Sequence, residues 1–483
     1  MKPILSSFLL AICMIGTAST QTAAIAKPPG TDAPVPATDV ATIGVASDGS
    51  LSFAEALDVL TANNHMLKAA RREEERREEE QKAARGLRWP RLDLAAFVTA
   101  INEPIVLDLD PIRDVILQLH PEVPPQLVPP FESTILDDQF SRALLTLNWP
   151  IYTGGKIKAV YAAAAAEVEN ARQLRSQTEN ELVGELVHRY FALRLAQAAR
   201  DVYQQVLVGT ERHLWEAARL EEEGMIAHAE RLHAEVARAE VARALTAAEH
   251  DVQLATTALA TILESPQPFS ATSNLFVHRR LPPVEDFVEQ AEQANPILAQ
   301  IDARAELAHQ GLEVAKAGYL PDVFIFGARQ LYTKDLASFE PTWTVGVGAK
   351  LTLFDGFSRR HEVRAARLLE ERVADLGAGA RSDIALLTTK HYHELEKALD
   401  QYETLEATRS LAEENLRVRT RAFEEGFGTS IDVVDARNTL ARVRLARLAA
   451  AFDFDVALAN LLTTAGASQR FADFLADADV EVE

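Results

Sequence analysis

Cysteine is almost missing from this chain: its 483 residues include one, Cys13. It sits in the N-terminal apolar run, so the rest of the chain has no disulfide framework and no thiol chemistry. Positive charge is in deficit. The 49 Lys and Arg face 71 Asp and Glu, for a formal net charge of −22. That excludes a nucleic-acid partner, which needs clustered basic side chains. There is no Gly-rich phosphate loop, no zinc-ligand spacing and no nucleophile–base–acid triad. No catalytic, cofactor-binding or metal residue is therefore assigned, and an enzyme is not expected. Past the N-terminus no run reaches the ~18 consecutive apolar residues of a transmembrane helix. Gly and Pro, 21 of each, are too few for a disordered chain, and 48% of residues are hydrophobic. A packed protein is expected.

What is present starts with Lys2 and an apolar run from Ile4 to Ile15, followed by Ala24-Ile25-Ala26. The small-x-small spacing marks 1–26 as a secretory signal peptide; the other reading is an apolar N-terminal anchor. A lipoprotein reading of Leu10-Ala11-Ile12-Cys13 is weak, because Ile12 is bulky where a small residue is wanted and the apolar run continues past Cys13. Residues 27–50, rich in Pro, Thr, Ala and Gly, read as a flexible N-terminal segment.

The remainder repeats itself. Tyr190 and Leu193 recur as Tyr392 and Leu395, and Glu222-Glu223-Gly224 recurs as Glu424-Glu425-Gly426, an offset of about 202 residues. LNWPIYTGGK matches AKLTLFDGFS, and RWPRLDLAAF matches GYLPDVFIFG. The first repeat spans 51–263 and the second 283–465. A linker, 264–282, lies between them, and an acidic tail occupies 466–483. Each repeat reads as strand, strand, long helix and half-length helices. Strands are expected at about 92–101, 142–151, 323–329 and 342–354. In the last, Trp343, Val345, Val347, Ala349, Leu351 and Leu353 alternate with Thr342, Thr344, Gly346, Gly348, Lys350 and Thr352, one apolar and one polar face. Trp89, Trp149, Tyr152, Tyr319, Trp343 and Phe354 cluster at strand ends, as aromatics do at membrane interfaces. A soluble sheet with one wet face is the plainer alternative.

Residues 155–223 and 357–425 contain no proline and carry apolar or small residues at three- and four-residue steps. Helices of that length span roughly 100 Å at about 1.5 Å per residue, a rod rather than a globular element. Four runs of half that length, 51–85, 228–262, 284–317 and 429–463, suit stacking end to end beside the long ones. The linker and the tail then fall midway along the rod. Four strands cannot close a membrane barrel, which needs about eight or more, so other copies must complete it.

In this order, twice, these motifs resemble the TolC family of outer-membrane efflux and secretion channels. The resemblance rests on the duplicated layout over 51–465, on Pro150-Ile151-Tyr152-Thr153-Gly154-Gly155 and Leu353-Phe354-Asp355-Gly356, and on Gly426 with Ile431-Asp432-Val433-Val434-Asp435-Ala436. It implies an α+β membrane protein: a homotrimeric 12-stranded β-barrel in outer-membrane lipid, continued by a long coiled-coil α-helical periplasmic barrel. It also implies a periplasmic adaptor and an inner-membrane pump, of the proton-driven RND type or the ATP-driven ABC type, at the far end. The competing expectation is a soluble periplasmic coiled-coil scaffold or adaptor.

Asp432 and Asp435 are first-turn acids after Thr429 and Ser430, which the helix dipole alone explains. The resemblance adds a second reading: rings of carboxylates at a periplasmic gate, selecting cations and crowded enough to raise their pKa values. Glu230 and His233 hold the equivalent positions in the first repeat. Some members of that family hold the closed tip with an arginine where this chain has Gly428 and a tyrosine where it has Phe423. Gly224, Met225, Ile226, Ala227 and Gly426, Phe427, Gly428, Thr429 form the hairpin tips, as helix-ending turns and as the adaptor-docking surface the resemblance implies. Gly154, Gly155 and Gly356 mark the strand-to-helix turns. His391 and His393 sit two apart, too poorly aligned to share a metal. RREEERREEEQK, 71–82, reads as a solvated helix face laced by ion pairs. The insert 101–140 joins two strands and carries a short amphipathic helix around Ile112, Val115, Ile116 and Leu119. It either narrows the external mouth or decorates it.

Overall fold

The computed structural model describes residues 49–336 and 341–482. The signal peptide expected at 1–26 and most of the segment 27–50 lie outside those residues. The first half runs in order through β1 (Ser50–Leu51), α1 (Phe53–Asn63), α2 (His65–Gly86), β2 (Arg91–Ala100), β3 (Ile105–Asp108), α3 (Asp110–Leu119), β4 (Glu132–Tyr152), α4 (Lys156–Glu222) and α5 (His228–Ile262). Then come β5 (Ser270–Ala271), β6 (Leu275–Val277), α6 (Val284–Ala294), α7 (Pro296–Ala317), β7 (Asp322–Leu336), β8 (Trp343–Lys350), α8 (Ser358–Glu424) and α9 (Ser430–Thr464). A 3-10 turn leads into α10 (Phe471–Ala476), and β9 is Val480–Val482.

Helices α4 and α8 have 67 residues each, and α5 and α9 have 35 each. The two other half-length runs are not single helices. Each breaks after 11 residues, at Asn64 and at Asn295. The break has one cause in both places. Asn64 Oδ1 accepts from the Met66 and Leu67 amides, capping α2, while its Nδ2 donates to Ile262 O at the end of α5. Asn295 caps α7 through Ile297 N and donates to Thr464 O at the end of α9. One buried amide thus satisfies the start of one helix and the end of another, where backbone groups otherwise lack partners.

The helices stand in four columns. α2 and α5 flank α4 on one side, α7 and α9 flank it on the other, and α8 lies beyond α7 and α9. The main core sits midway, where Phe53, Tyr190, Phe191, Phe276, Phe454 and Phe471 are fully buried. The linker and the tail build a belt there. β1 pairs in parallel with β5, and β6 pairs antiparallel with β9. Tyr190 Oη donates to Leu51 O (2.7 Å) and accepts from Thr272 N and Ser273 N. The tail is therefore folded structure rather than a plain acidic extension: Phe471 and Val482 are each 1% exposed.

At one end lies an antiparallel sheet in the order β2-β4-β7-β8, with β3 beside β4. β4 and β7 are longer than the sequence pattern predicts, and β4 continues into the insert to pair with β3. Helix α3 lies in the same insert. Arg113 ties it to the proline-rich loop by donating to Val128 O (3.0 Å) and Pro125 O (3.2 Å). Leu92, Leu94, Val345 and Val347 share one exposed sheet face, and Arg91, Asp93, Thr146, Asn148 and Thr344 share the other. Gly154 (φ +60), Gly155 (φ +90) and Gly356 (φ +67) turn the strands into α4 and α8 in the left-handed region that glycine enters without strain. A Cβ on Gly154 would come within 2.7 Å of Leu320 Cβ. Among the described residues no helix is long and apolar enough to cross a membrane.

Candidate gate at the helical hairpin tips

The rod ends in two hairpins, α4/α5 and α8/α9. Both turns close alike. Gly224 (φ +72) and Gly426 (φ +77) take the left-handed conformation, and Met225 N and Phe427 N reach back to Leu220 O and Ala422 O, both at 2.8 Å. Phe427 is 87% exposed and Met225 62% exposed, an apolar pair at the extreme tip. Beneath them Ala217, Ala234, Phe423 and Val433 pack with Leu214, Leu220, Ile226 and Leu416.

The two hairpins differ in how their return helices begin. Thr429 and Asp432 form a capping box. Thr429 Oγ1 accepts from Asp432 N, and Asp432 Oδ2 accepts from Thr429 N (3.1 Å) and Thr429 Oγ1 (2.6 Å). Asp432 Oδ1 also lies 3.5 Å from Arg419. The Thr429 hydroxyl and amide, then Arg419, hold this carboxyl below its ordinary pKa. Crowding of like charges would push the pair upward; for Asp432 within one chain the direction is the reverse. Asp435, one turn on, is exposed.

The first hairpin has Ala227 at the capping position and no side-chain cap. Glu230, the counterpart of Asp432, therefore has no hydroxyl partner at its own helix start. Its Oε2 accepts instead from Ser430 N of the other hairpin at 2.7 Å. The structure thus separates the expected quartet: Asp432 in a local cap, Glu230 in a cross-hairpin bond, and Asp435 and His233 exposed. The first turn is held from α4 by Glu221, which accepts from Arg231 Nε (2.6 Å) and pairs with His228 Nδ1 (2.7 Å).

Sequence reasoning missed His213. It is 2% exposed on α4, its Nε2 lies 2.8 Å from Ser430 Oγ, and its ring packs on Phe423 with centroids 4.8 Å apart. Burial, then Arg437, pushes its pKa down to about 4, so the ring is neutral at about pH 7. The repeat gives no signal for it, since the equivalent position is Asn415. Phe423 is itself buried, at 2% exposed. The phenyl ring that replaces the tyrosine of the resemblance is thus a packing element facing an imidazole.

At the other end, Trp89, Trp149, Tyr152, Tyr319 and Phe354 gather where strands meet helices, and Trp343 lies at the far end of β8, opposite Arg329; all six are at least 36% exposed. His391 and His393 pair with Glu394 and Glu396 respectively, and no group of metal-capable side chains occurs among the described residues. Arg76 and Arg77 both bond Glu73 on α2, within the charged run 71–82.

The sequence matches the outer membrane efflux protein family over residues 56–264 and 287–467. It is 24% identical over 270 residues to Protein CyaE of Bordetella pertussis, a match covering 54% of this chain and 56% of that protein. The match therefore spans about half the length of that relative. The outer membrane protein VceC of Vibrio cholerae superposes with a TM-score of 0.67 at 17% identity, over 86% of this chain and 96% of that one. The open state of the MtrE outer membrane channel of Neisseria gonorrhoeae does so at 0.68 and 17%, over 86% and 89%. Family and fold are those of channels rather than enzymes. With duplicated matching segments and a shared fold, this chain belongs to the outer membrane efflux protein family, and its place is the outer membrane with an extension into the periplasm.

Proposed function

We propose that three copies of this chain close into one passive, gated exit duct for an efflux or type I secretion system. A periplasmic adaptor docks at the exposed Met225 and Phe427 tips, and an inner-membrane pump supplies substrate and energy. The observation that carries this reading is that each chain has open edges at both levels. Within the described sheet, β2 and β8 each have one strand partner. In the rod, α2 packs mainly on α4 and α8 mainly on α7 and α9, so each lies at an outer side of the bundle. Unpaired strand edges are not tolerated in lipid. The economical closure sets β8 of one copy beside β2 of the next and α8 beside α2 and α5. Strand-end aromatics then lie at the two membrane interfaces, and the carboxylates of Asp432 and Asp435 ring the axis at the tip, with Glu230 and His233 beside them.

The test is direct. The purified protein should need detergent for release from membranes, crosslink to a trimer and conduct in planar bilayers. Release by salt, or a crosslinked monomer, would point to the scaffold reading and end this one. In the conducting trimer, Asp432→Ala with Asp435→Ala should raise conductance and weaken block by multivalent cations. Unchanged currents would remove these aspartates from the gate.

A further inference from the structure

Two phenylalanines on the polar face of the sheet lie in an unusual setting. Phe324 and Phe326 on β7 stand opposite Gly348 and Gly346 on β8. On their other side, across β4, stand Pro150 and Asn148. A ring can lie down only where the neighbour has no side chain, and that is the β8 side. The distances agree. A Cβ on Gly346 would come 2.7 Å from Phe326 Cζ and 3.0 Å from Cε1, and one on Gly348 would come 2.7 Å from Phe324 Cζ and 2.8 Å from Cε2. Both rings therefore rest against the β8 backbone, with centroids 6.2 Å apart. The same face carries Arg91, Asn148 and Thr344, so in a closed barrel it lines the pore.

We infer that Gly346 and Gly348 set the bore of the barrel by letting Phe326 and Phe324 fold flat against its wall. Glycine in a strand sacrifices packing and conformational stability, and an aromatic laid over it recovers part of the loss. Here the arrangement has a second effect. Any β-carbon at either position lifts a ring off the wall, and the direction left to it is the lumen. Three copies would raise six rings, three at each of two successive levels of the wall. The consequence is a limit on solute size at the exit, separate from the gate at the tip.

This rests on the barrel reading above, and the experiment keeps the two apart. Neutral polymers of graded size are added on the barrel side alone of a bilayer holding the full-length channel, so the tip does not set the result. Gly346→Val with Gly348→Val uses a strong strand former and should at least halve the mass of the largest polymer admitted. Adding Phe324→Ala and Phe326→Ala to the same chain should restore the original limit or exceed it. A glycine variant that assembles as a trimer and admits the same polymers as the parent overturns the inference. So does a narrowed variant that the alanines fail to relieve. If the parent itself forms no channel, the barrel reading is what fails.

Discussion

The two hairpin tips have the same length, the same glycine turn and the same helix after it, yet they cap that helix differently. The second tip is self-sufficient: Thr429 and Asp432 satisfy one another and the first turn of α9. The first tip, with Ala227 in place of Thr429, leaves Glu230 free to bond Ser430 N of its neighbour. One missing hydroxyl turns a local cap into a tie between hairpins. The lesson is that after duplication a helix cap is a transferable part. Losing it in one copy makes its acid available for a contact that neither copy could make alone.

The largest effect should come from the packing the tips share. Phe423→Ala removes a buried ring from between His213 and Val433 and should lower local stability by about 3–4 kcal/mol. Hydrogen exchange should then accelerate in both hairpins together; exchange confined to α8 and α9 would show that the tips do not share a core. Acid comes next. His213 has its pKa depressed to about 4 from about 6.5 unfolded, so its contribution is full above about pH 6.5 and is lost as pH falls through about 4. The unfolded state binds the extra proton across that window, and the change is on the order of 3 kcal/mol. Protection of the tip amides should track that curve, and His213→Phe should flatten it. Glu230→Ala leaves Ser430 N without its charged acceptor and should loosen the tie by about 2 kcal/mol, seen as faster exchange at the start of α9 with α5 unchanged. The smallest test is the sharpest. Ala227→Ser rebuilds the missing box with Glu230, stabilising α5 by about 1 kcal/mol while withdrawing the acid from Ser430. Slower exchange in α5 with faster exchange in α9 is the expected signature, and gain in both would refute the transfer.

Much of the rod is legible in the sequence because helical periodicity and the lack of proline are local signals. The ends of α4, α5 and α8 fall within a residue of the boundaries that glycines and charged runs suggest. The breaks at Asn64 and Asn295 carry no such signal. An asparagine in a helical run looks like any polar residue until its amide finds the end of another helix far along the chain. Pro296 is a visible hint in one copy, and the other copy has none. The extension of β4 is hidden because its pairing with β3 lies inside an insert whose prolines read as loop. At the tip, the repeat finds the residues themselves but not their partners. Periodicity places Glu230 on a helix start; it cannot say that the hydrogen it accepts belongs to Ser430.

The mid-rod belt also governs the order in which this molecule can be made. Leu275, Phe276 and Val277 are buried in part by Val480–Val482, about two hundred residues downstream. Leu51 likewise waits for Ala271. Chain entering the periplasm from its N-terminus can wind its first long hairpin early, but the waist stays open, with apolar strands exposed, until Val482 has crossed. A chain cut before Val480 therefore leaves Leu275, Phe276 and Val277 without the strand that pairs with them, and the waist is the last part of the molecule that can close.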